Sequence, residues 1–167
     1  PLANAGPDQT ICEGDEATLS GNGGGSYDWS TGESTATIIV TPSSTISYVL
    51  TVTDVLGCSA TDVVTIVVQP LPVASAGPNQ FILAGESAIL TATGGGTYAW
   101  NTGETTSQIT VMPAVTTTYS VTVTIGGCTS VDQVTVFVDE VPTVDLGPDL
   151  EICAGESVTL DATITGP

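Results

Sequence analysis

"TPSSTISYVLTVTDVLGCSATDVVTIVV", residues 41–68, decides the fold. In "YVLTVT" (48–53), Tyr48, Leu50 and Val52 face one way and Val49, Thr51 and Thr53 the other. "VVTIVV" (63–68) repeats the pattern, with Val64, Ile66 and Val68 on the apolar face. Alternation at every second residue puts one set of side chains on one face only if the chain is extended. Threonine, β-branched and polar, suits the solvated face of a sheet. The Gly57–Cys58 pair lies between the runs, so the stretch reads as two strands joined by a hairpin.

The same stretch returns as "MPAVTTTYSVTVTIGGCTSVDQVTVFV" (112–138), with Tyr119, Val121 and Val123 on one face and Val134, Val136 and Val138 on the face of the next strand. The repetition extends outward. "ANAGPDQTICEGDEATL" (3–19) matches "ASAGPNQFILAGESAIL" (74–90) and "VDLGPDLEICAGESVTL" (144–160). "SYDWSTGES" (26–34) matches "TYAWNTGET" (97–105). The offset is 71 residues, as from Trp29 to Trp100, and becomes 70 after a one-residue deletion, as from Cys58 to Cys128. An internal repeat of this kind marks an array of similar modules. The expected units are 1–70, 71–140 and 141–167, the last holding only the opening strands of a module; the 167 residues read as a slice of a longer array.

Gly and Pro clusters punctuate the chain every 8–12 residues, and no helical period of useful length occurs. Each unit therefore reads as about seven short strands in an all-β, immunoglobulin-like Greek-key sandwich of about 70 residues. Trp29 and Trp100 fall on the third strand, and Tyr48 and Tyr119 near the start of the penultimate one, at the place of a tyrosine corner. These four are the expected structural core. The linkers "QPLPVASAGP" (69–78) and "DEVPTVDLGP" (139–148) are short and carry proline, so end-to-end stacking with restricted bending is expected.

Taken together, "AGPDQTICEGDEATLSG", "YDWSTGES", "TPSSTISYVLTVTD" and "GCSATDVVTIVV" resemble the Ig-like/PKD-like repeats of giant Bacteroidota cell-surface adhesins, the gliding-motility adhesins of type IX secretion among them. The resemblance spans the chain. "YDWSTGE" and "YAWNTGE" stand where PKD repeats carry "WDFGDG", which favours the Ig-like variant. It implies a stiff stalk or filament, extracellular and anchored at the outer membrane, projecting an adhesive tip and transmitting load in surface attachment or gliding. Expected partners are neighbouring repeats of the same chain and other copies in a filament, with a surface or glycan ligand met through other regions. The alternatives are a spacer or accessory module of a secreted glycan-degrading enzyme and a glycan-binding module.

The chain has 18 acidic residues and no Lys, Arg or His, giving a net charge of −18, yet only 11% of its residues are charged. Without cations it has nothing to neutralise phosphate, which excludes nucleic acid, and anionic membranes are disfavoured for the same reason. No apolar run approaches the roughly 20 residues of a membrane-spanning helix, so direct insertion is not expected. Catalysis is not expected either: Ser and Thr have no His or Lys base beside them. "GNGGGSY" (21–27) and "TGGGTY" (93–98) lack the following helix that a phosphate-binding loop needs. No cofactor is expected beyond one possible ion. Asp8, Asn79 and Asp149 recur after "GP", and Asp139, Glu140, Asp145 and Asp149 crowd the second linker, where hard oxygen ligands could hold Ca²⁺. The same residues also read as a solvated acidic joint, and no D-x-D-x-D-G spacing supports the ion.

Four cysteines imply an oxidising compartment. Cys12 and Cys153 occupy the position that Leu83 takes in the second unit, and Cys58 matches Cys128. Pairing Cys12 with Cys58 inside the first unit leaves Cys128 without a mate. It also asks a bond to span a sandwich from one end to the other, against the ~4.4–6.8 Å Cα separation of a disulfide. Cys12–Cys128, across two units, avoids both objections. Cys58 and Cys153 would then bond repeats before and after, and Leu83 marks a joint without a bridge. Cys12–Cys58 stays open as the alternative at this point.

Overall fold

The computed structural model describes residues 1–145, 151–159 and 163–165, the backbone alone at 143–145 and 163–165. Every named element is a strand. In the first repeat these are β1 (Gln9–Cys12), β2 (Ala17–Ser20), β3 (Ser26–Trp29), β4 (Thr37–Val40), β5 (Ile46–Thr53) and β6 (Ser59–Gln69). β7 (Gln80–Leu83), β8 (Ala88–Thr91), β9 (Thr97–Trp100), β10 (Gln108–Val111), β11 (Thr117–Ile125) and β12 (Cys128–Asp139) repeat the order. β13 (Thr143–Asp145) and β14 (Thr163–Thr165) form an antiparallel pair.

β1, β6, β5 and β3 lie in that order in one sheet, and β2 pairs with β4 in another. The chain alternates between them: β1 in the first sheet, β2 in the second, β3 in the first, β4 in the second, then the β5–β6 hairpin in the first. That is an immunoglobulin-like sandwich, and the order β7-β12-β11-β9 beside β10-β8 makes a second one. The chain is a tandem of Ig-like β-sandwiches. β1 runs parallel to β6, with Gln9 beside Ile66 and Cys12 beside Gln69, whereas β5 and β6 are antiparallel, with Tyr48 opposite Val64.

The period-two pattern places the core as expected. Leu50, Val52, Val64 and Ile66 are fully buried and pack with Ala17, Leu19, Ile38 and Val40 of the facing sheet. Leu90, Val121, Val134 and Val136 do the same in the second repeat. Each such side chain contributes about 1.5–3 kcal/mol by leaving water. Val68 and Val138, expected inward, are only half-buried and stand near the ends of their strands; Val68 still packs against the edge of the first core. Trp29 (2% exposed) and Trp100 (4%) fill matching places, as do Tyr48 and Tyr119. Each indole is held by the loop that follows it: Trp29 Nε1 donates to the Thr35 carbonyl at 3.0 Å, and Trp100 Nε1 to that of Thr106 at 3.0 Å. Burial raises the pKa of both tyrosine hydroxyls, with Glu33 adding to the effect at Tyr48.

The count of strands differs from the expected seven. There are six per repeat, and the missing one survives as an isolated bridge, Asn4 to Asn22 and Ser75 to Thr93. In the first repeat Gly6, at φ 86°, and Pro7 interrupt the opening strand. A proline has no N–H for a ladder, and the positive φ turns the chain. Asn4 therefore pairs beyond the end of β2, while Gln9 onward joins the other sheet as β1.

Two compact units divide the chain. One comprises Pro1–Val73 with Gly94–Thr97 and Val123–Ser130; the other comprises Ala74–Thr93, Tyr98–Thr122 and Val131–Pro167.

Candidate functional site

The first compact unit contains a covalent cross-link. Cys12 and Cys128 form a disulfide with a Cα–Cα separation of 5.5 Å across 116 residues of sequence. Cys12 ends β1, and Cys128 opens β12 immediately after the Ile125–Gly127 turn. Both lie in the unit built on Pro1–Val73, which takes in Val123–Ser130 from the second repeat. The site is thus the end of β1 and β6 with the tip of the β11–β12 hairpin upon it.

Its floor is a parallel pair. Cys12 stands beside Gln69, and the Glu13 N–H donates to the Gln69 carbonyl at 2.8 Å. The Gln69 side chain reaches over the hairpin, with Oε1 3.7 Å from Cys128 Sγ. Gly126 makes room for it. A Cβ there would meet the Gln69 amide, and its φ of 58° lies in the left-handed region. Cys128 is 1% exposed, so the bridge is shielded on that side.

Cys58 is exposed and unpaired. It precedes β6, while Cys12 lies beside Gln69 at the other end of that strand. β6 is 11 residues long, or roughly 33 Å at about 3.3 Å per residue, which no disulfide spans. The Cys12–Cys58 alternative therefore falls on distance. Cys153 is likewise exposed and unpaired.

Leu83 shows what happens where the cysteine is absent. It sits beside Asp139 on β12 as Cys12 sits beside Gln69 on β6, and the Ala84 N–H donates to the Asp139 carbonyl at 2.9 Å. The backbone is the same; the sulfur and the glutamine are not there.

The acidic residues separate into two groups. Asp8 and Asn79, which recur after "GP", each accept a backbone N–H: Thr65 donates to Asp8 Oδ1 at 2.7 Å, and Thr135 to Asn79 Oδ1 at 2.8 Å. Both satisfy the ladder of the long last strand, and an amide does this as well as a carboxylate. Asp139 and Glu140 are exposed. Asp149 lies outside the described residues, and Asp145 is described by its backbone only. Among the described residues no group of three or more His, Cys, Asp or Glu is placed to hold a metal ion.

Two further carboxylates escaped the sequence reading. Asp62 accepts from the Ala5 N–H and Asp132 from the Ala76 N–H, each at 2.8 Å. Hydrogen bonds from those amides and from Val63 and Gln133 hold both carboxyls below the usual aspartate range. Their signal was available: an aspartate inside an otherwise apolar strand, present in both repeats. Gln69 was missed too, and its only trace is that Asp139 replaces it where Leu83 replaces the cysteine. No described helix is long and apolar enough to cross a membrane.

No family model matches the chain, and no curated protein does. Among solved structures it is similar to extracellular domains 3–5 of Drosophila OTK, at 16% identity and a TM-score of 0.46 over 80% of this chain and 59% of that one. It is also similar to titin domains I67–I69, at 15% identity and a TM-score of 0.40 over 82% of this chain and 64% of that one. DIP-gamma IG1+IG2 matches at 15% identity and a TM-score of 0.38 over 79% and 93%. The chain spans about three-fifths of the OTK fragment and just under two-thirds of the titin one.

Proposed function

We propose that this chain is a structural segment of a large extracellular adhesin of the type IX, gliding-motility kind, forming a stiff stalk or filament that projects an adhesive tip from the outer membrane. Its work is mechanical, it is not an enzyme, and its partners are neighbouring repeats and other copies in a filament. The Cys12–Cys128 disulfide carries this proposal. Tension applied to the two ends of the chain would pass from Cys12 through sulfur to Cys128. The 116 residues of separation, about 400 Å of extended backbone at ~3.3–3.6 Å per residue, would then be sheltered from it. A disulfide also fits an oxidising, extracellular setting. The self-repulsion of a net charge of −18 favours an extended, soluble array.

Deleting the repeats from the parent protein tests the proposal. Attachment under flow should fall, and the surface projection should shorten. Unchanged attachment with impaired polysaccharide breakdown would instead assign the segment to a secreted glycan-degrading enzyme as a spacer.

One observation favours a glycan-binding module as a second possibility. Phe81, 71% exposed, stacks on Phe137 with ring centroids 4.8 Å apart and planes 13° from parallel. A flat exposed aromatic face can take the apolar face of a sugar ring. Glycan-array binding that Phe81→Ala abolishes would support it; an array without signal would remove it.

A further inference from the structure

The two halves of the Cys12–Cys128 bridge stand in different surroundings. Cys128 is 1% exposed, and Gln69 Oε1 lies 3.7 Å from its sulfur. No charged residue occurs from Ile125 to Val131. Cys12 is half-buried, at the end of β1, which is an edge strand of its sheet. The residues that follow it include Glu13, Asp15 and Glu16, all exposed. Asp15 is fastened to Cys12 itself. The Cys12 N–H donates to Asp15 Oδ2 at 3.3 Å, and the Asp15 N–H donates to the Cys12 carbonyl at 3.0 Å. A carboxylate is thereby pinned beside the more accessible half of the bridge, with two others close in sequence. No Lys, Arg or His anywhere in the chain offsets them.

We infer that the bridge opens from one side only, to small cationic thiols, and that Cys12 is where they are captured as a mixed disulfide. Thiol–disulfide exchange proceeds by attack of a thiolate on one sulfur, and access decides which. The incoming thiolate bonds to Cys12 Sγ and the Cys12–Cys128 bond breaks. Its electron pair leaves on Cys128 Sγ, which takes a proton from water. One disulfide is exchanged for another, with no net oxidation and no further reagent. Attack on Cys128 would have to pass Gln69 and the buried side of the hairpin. The carboxylates of Glu13, Asp15 and Glu16 select among thiols. They attract the ammonium group of an aminothiol and repel a thiol that carries a sulfonate or carboxylate. The selection is electrostatic at an exposed turn, so salt removes it. The inference does not depend on adhesion and holds for a spacer as well.

The test uses the 167-residue chain with Cys12–Cys128 intact and the exposed Cys58 and Cys153 first blocked with iodoacetamide. Limiting cysteamine is added to the folded protein, exchange is stopped in acid, and free thiols are alkylated with N-ethylmaleimide in denaturant. Digestion with pepsin at acid pH then locates both labels. The expected result is cysteamine on Cys12 and N-ethylmaleimide on Cys128. The reverse placement, or an even split, would overturn the inference. An even split together with a rate that climbs in urea would show that the bridge is reached only by unfolding. A bridge that cysteamine leaves intact while the chain stays folded would overturn it too. Selection is read by comparing cysteamine with 2-mercaptoethanesulfonate at equal thiolate concentration. Thiols differ in intrinsic reactivity, so the measure is how the rate ratio moves with salt. It should fall roughly tenfold from low ionic strength to about 1 M, where the screening length is about 3 Å. A ratio that salt leaves unchanged would overturn the preference for cationic thiols.

Discussion

The carboxylate of Asp62 holds the backbone N–H of Ala5 at 2.8 Å, across 57 residues of sequence. It fastens the opening segment, whose neighbour Asn4 pairs with Asn22, to the long last strand. Asp132 does the same for Ala76. The pKa of each aspartate is lowered by these hydrogen bonds. A carboxylate with a depressed folded pKa stabilises the fold above its unfolded value, about 3.9, and that contribution disappears as pH falls through the folded value. Thermal unfolding of the wild type minus that of Asp62→Asn, followed from pH 7 to pH 2, should show a difference that is steady at neutral pH and shrinks below about pH 4. The difference is the proper measure, because protonating the other acids relieves repulsion and acts in the opposite direction. A difference independent of pH would show that the charge on Asp62 does not hold the segment.

Removing the cross-link should cost a large share of the stability of the first unit. On the chain-entropy account, a loop of 116 residues gives about 4–5 kcal/mol. Urea unfolding of Cys12→Ser/Cys128→Ser against the oxidised wild type should show a loss of that order. A loss under about 1 kcal/mol would mean that the hairpin is held by its other contacts, Gln69 and Gly126 among them.

Trp29→Ala removes a fully buried indole together with its bond to the Thr35 carbonyl. Large aromatic deletions in cores cost about 3–5 kcal/mol. In a sandwich of this size that is much of the total of about 5–15 kcal/mol typical of a domain. Trp100→Ala should cost a similar amount in the second repeat, since its burial and its bond to Thr106 match. Denaturant titration of each variant, followed by circular dichroism, measures both, since the remaining tryptophan sits in the core of the other repeat.

Gly126→Ala should weaken the seat of the hairpin by about 1–2 kcal/mol, because an L-residue is strained at its φ of 58°. The added methyl also meets the Gln69 amide, whose flexible end can move aside. Combining it with Gln69→Ala should relieve the crowding but leave the backbone cost. Rates of Cys12–Cys128 closure on oxidative refolding read both effects: the single variant slower than wild type, the double variant no slower than the single.

The sandwich was legible because alternation, glycine turns and repetition all pointed the same way. Tyr48, Leu50 and Val52 could bury together only on a strand. The split of the first strand was less visible: it depends on Gly6 and Pro7 acting against a pattern that otherwise reads as continuous. Cys12–Cys128 could be argued from topology, since Leu83 leaves Cys128 without a mate inside its own repeat. What packs around the bond could not. Gln69 touches Cys128 only once the chain has brought residues 59 apart together. Asp8 and Asn79 invited a reading as ion ligands because both offer an oxygen; their partners, the N–H groups of Thr65 and Thr135, lie more than 50 residues on and are invisible to local pattern.

The cross-link also gives the chain a second covalent route past most of its own backbone. A protease that cuts a single loop anywhere between Cys12 and Cys128, such as the glycine-rich tip at 23–25 or the turn at 102–103, opens a ring instead of severing a line. Everything before Cys12 stays attached to everything after Cys128. Two cuts release only the piece between them. Nearly all of these two repeats can be nicked once without parting the chain on either side of the bridge, and only reduction of one sulfur–sulfur bond turns that harmless nick into a break.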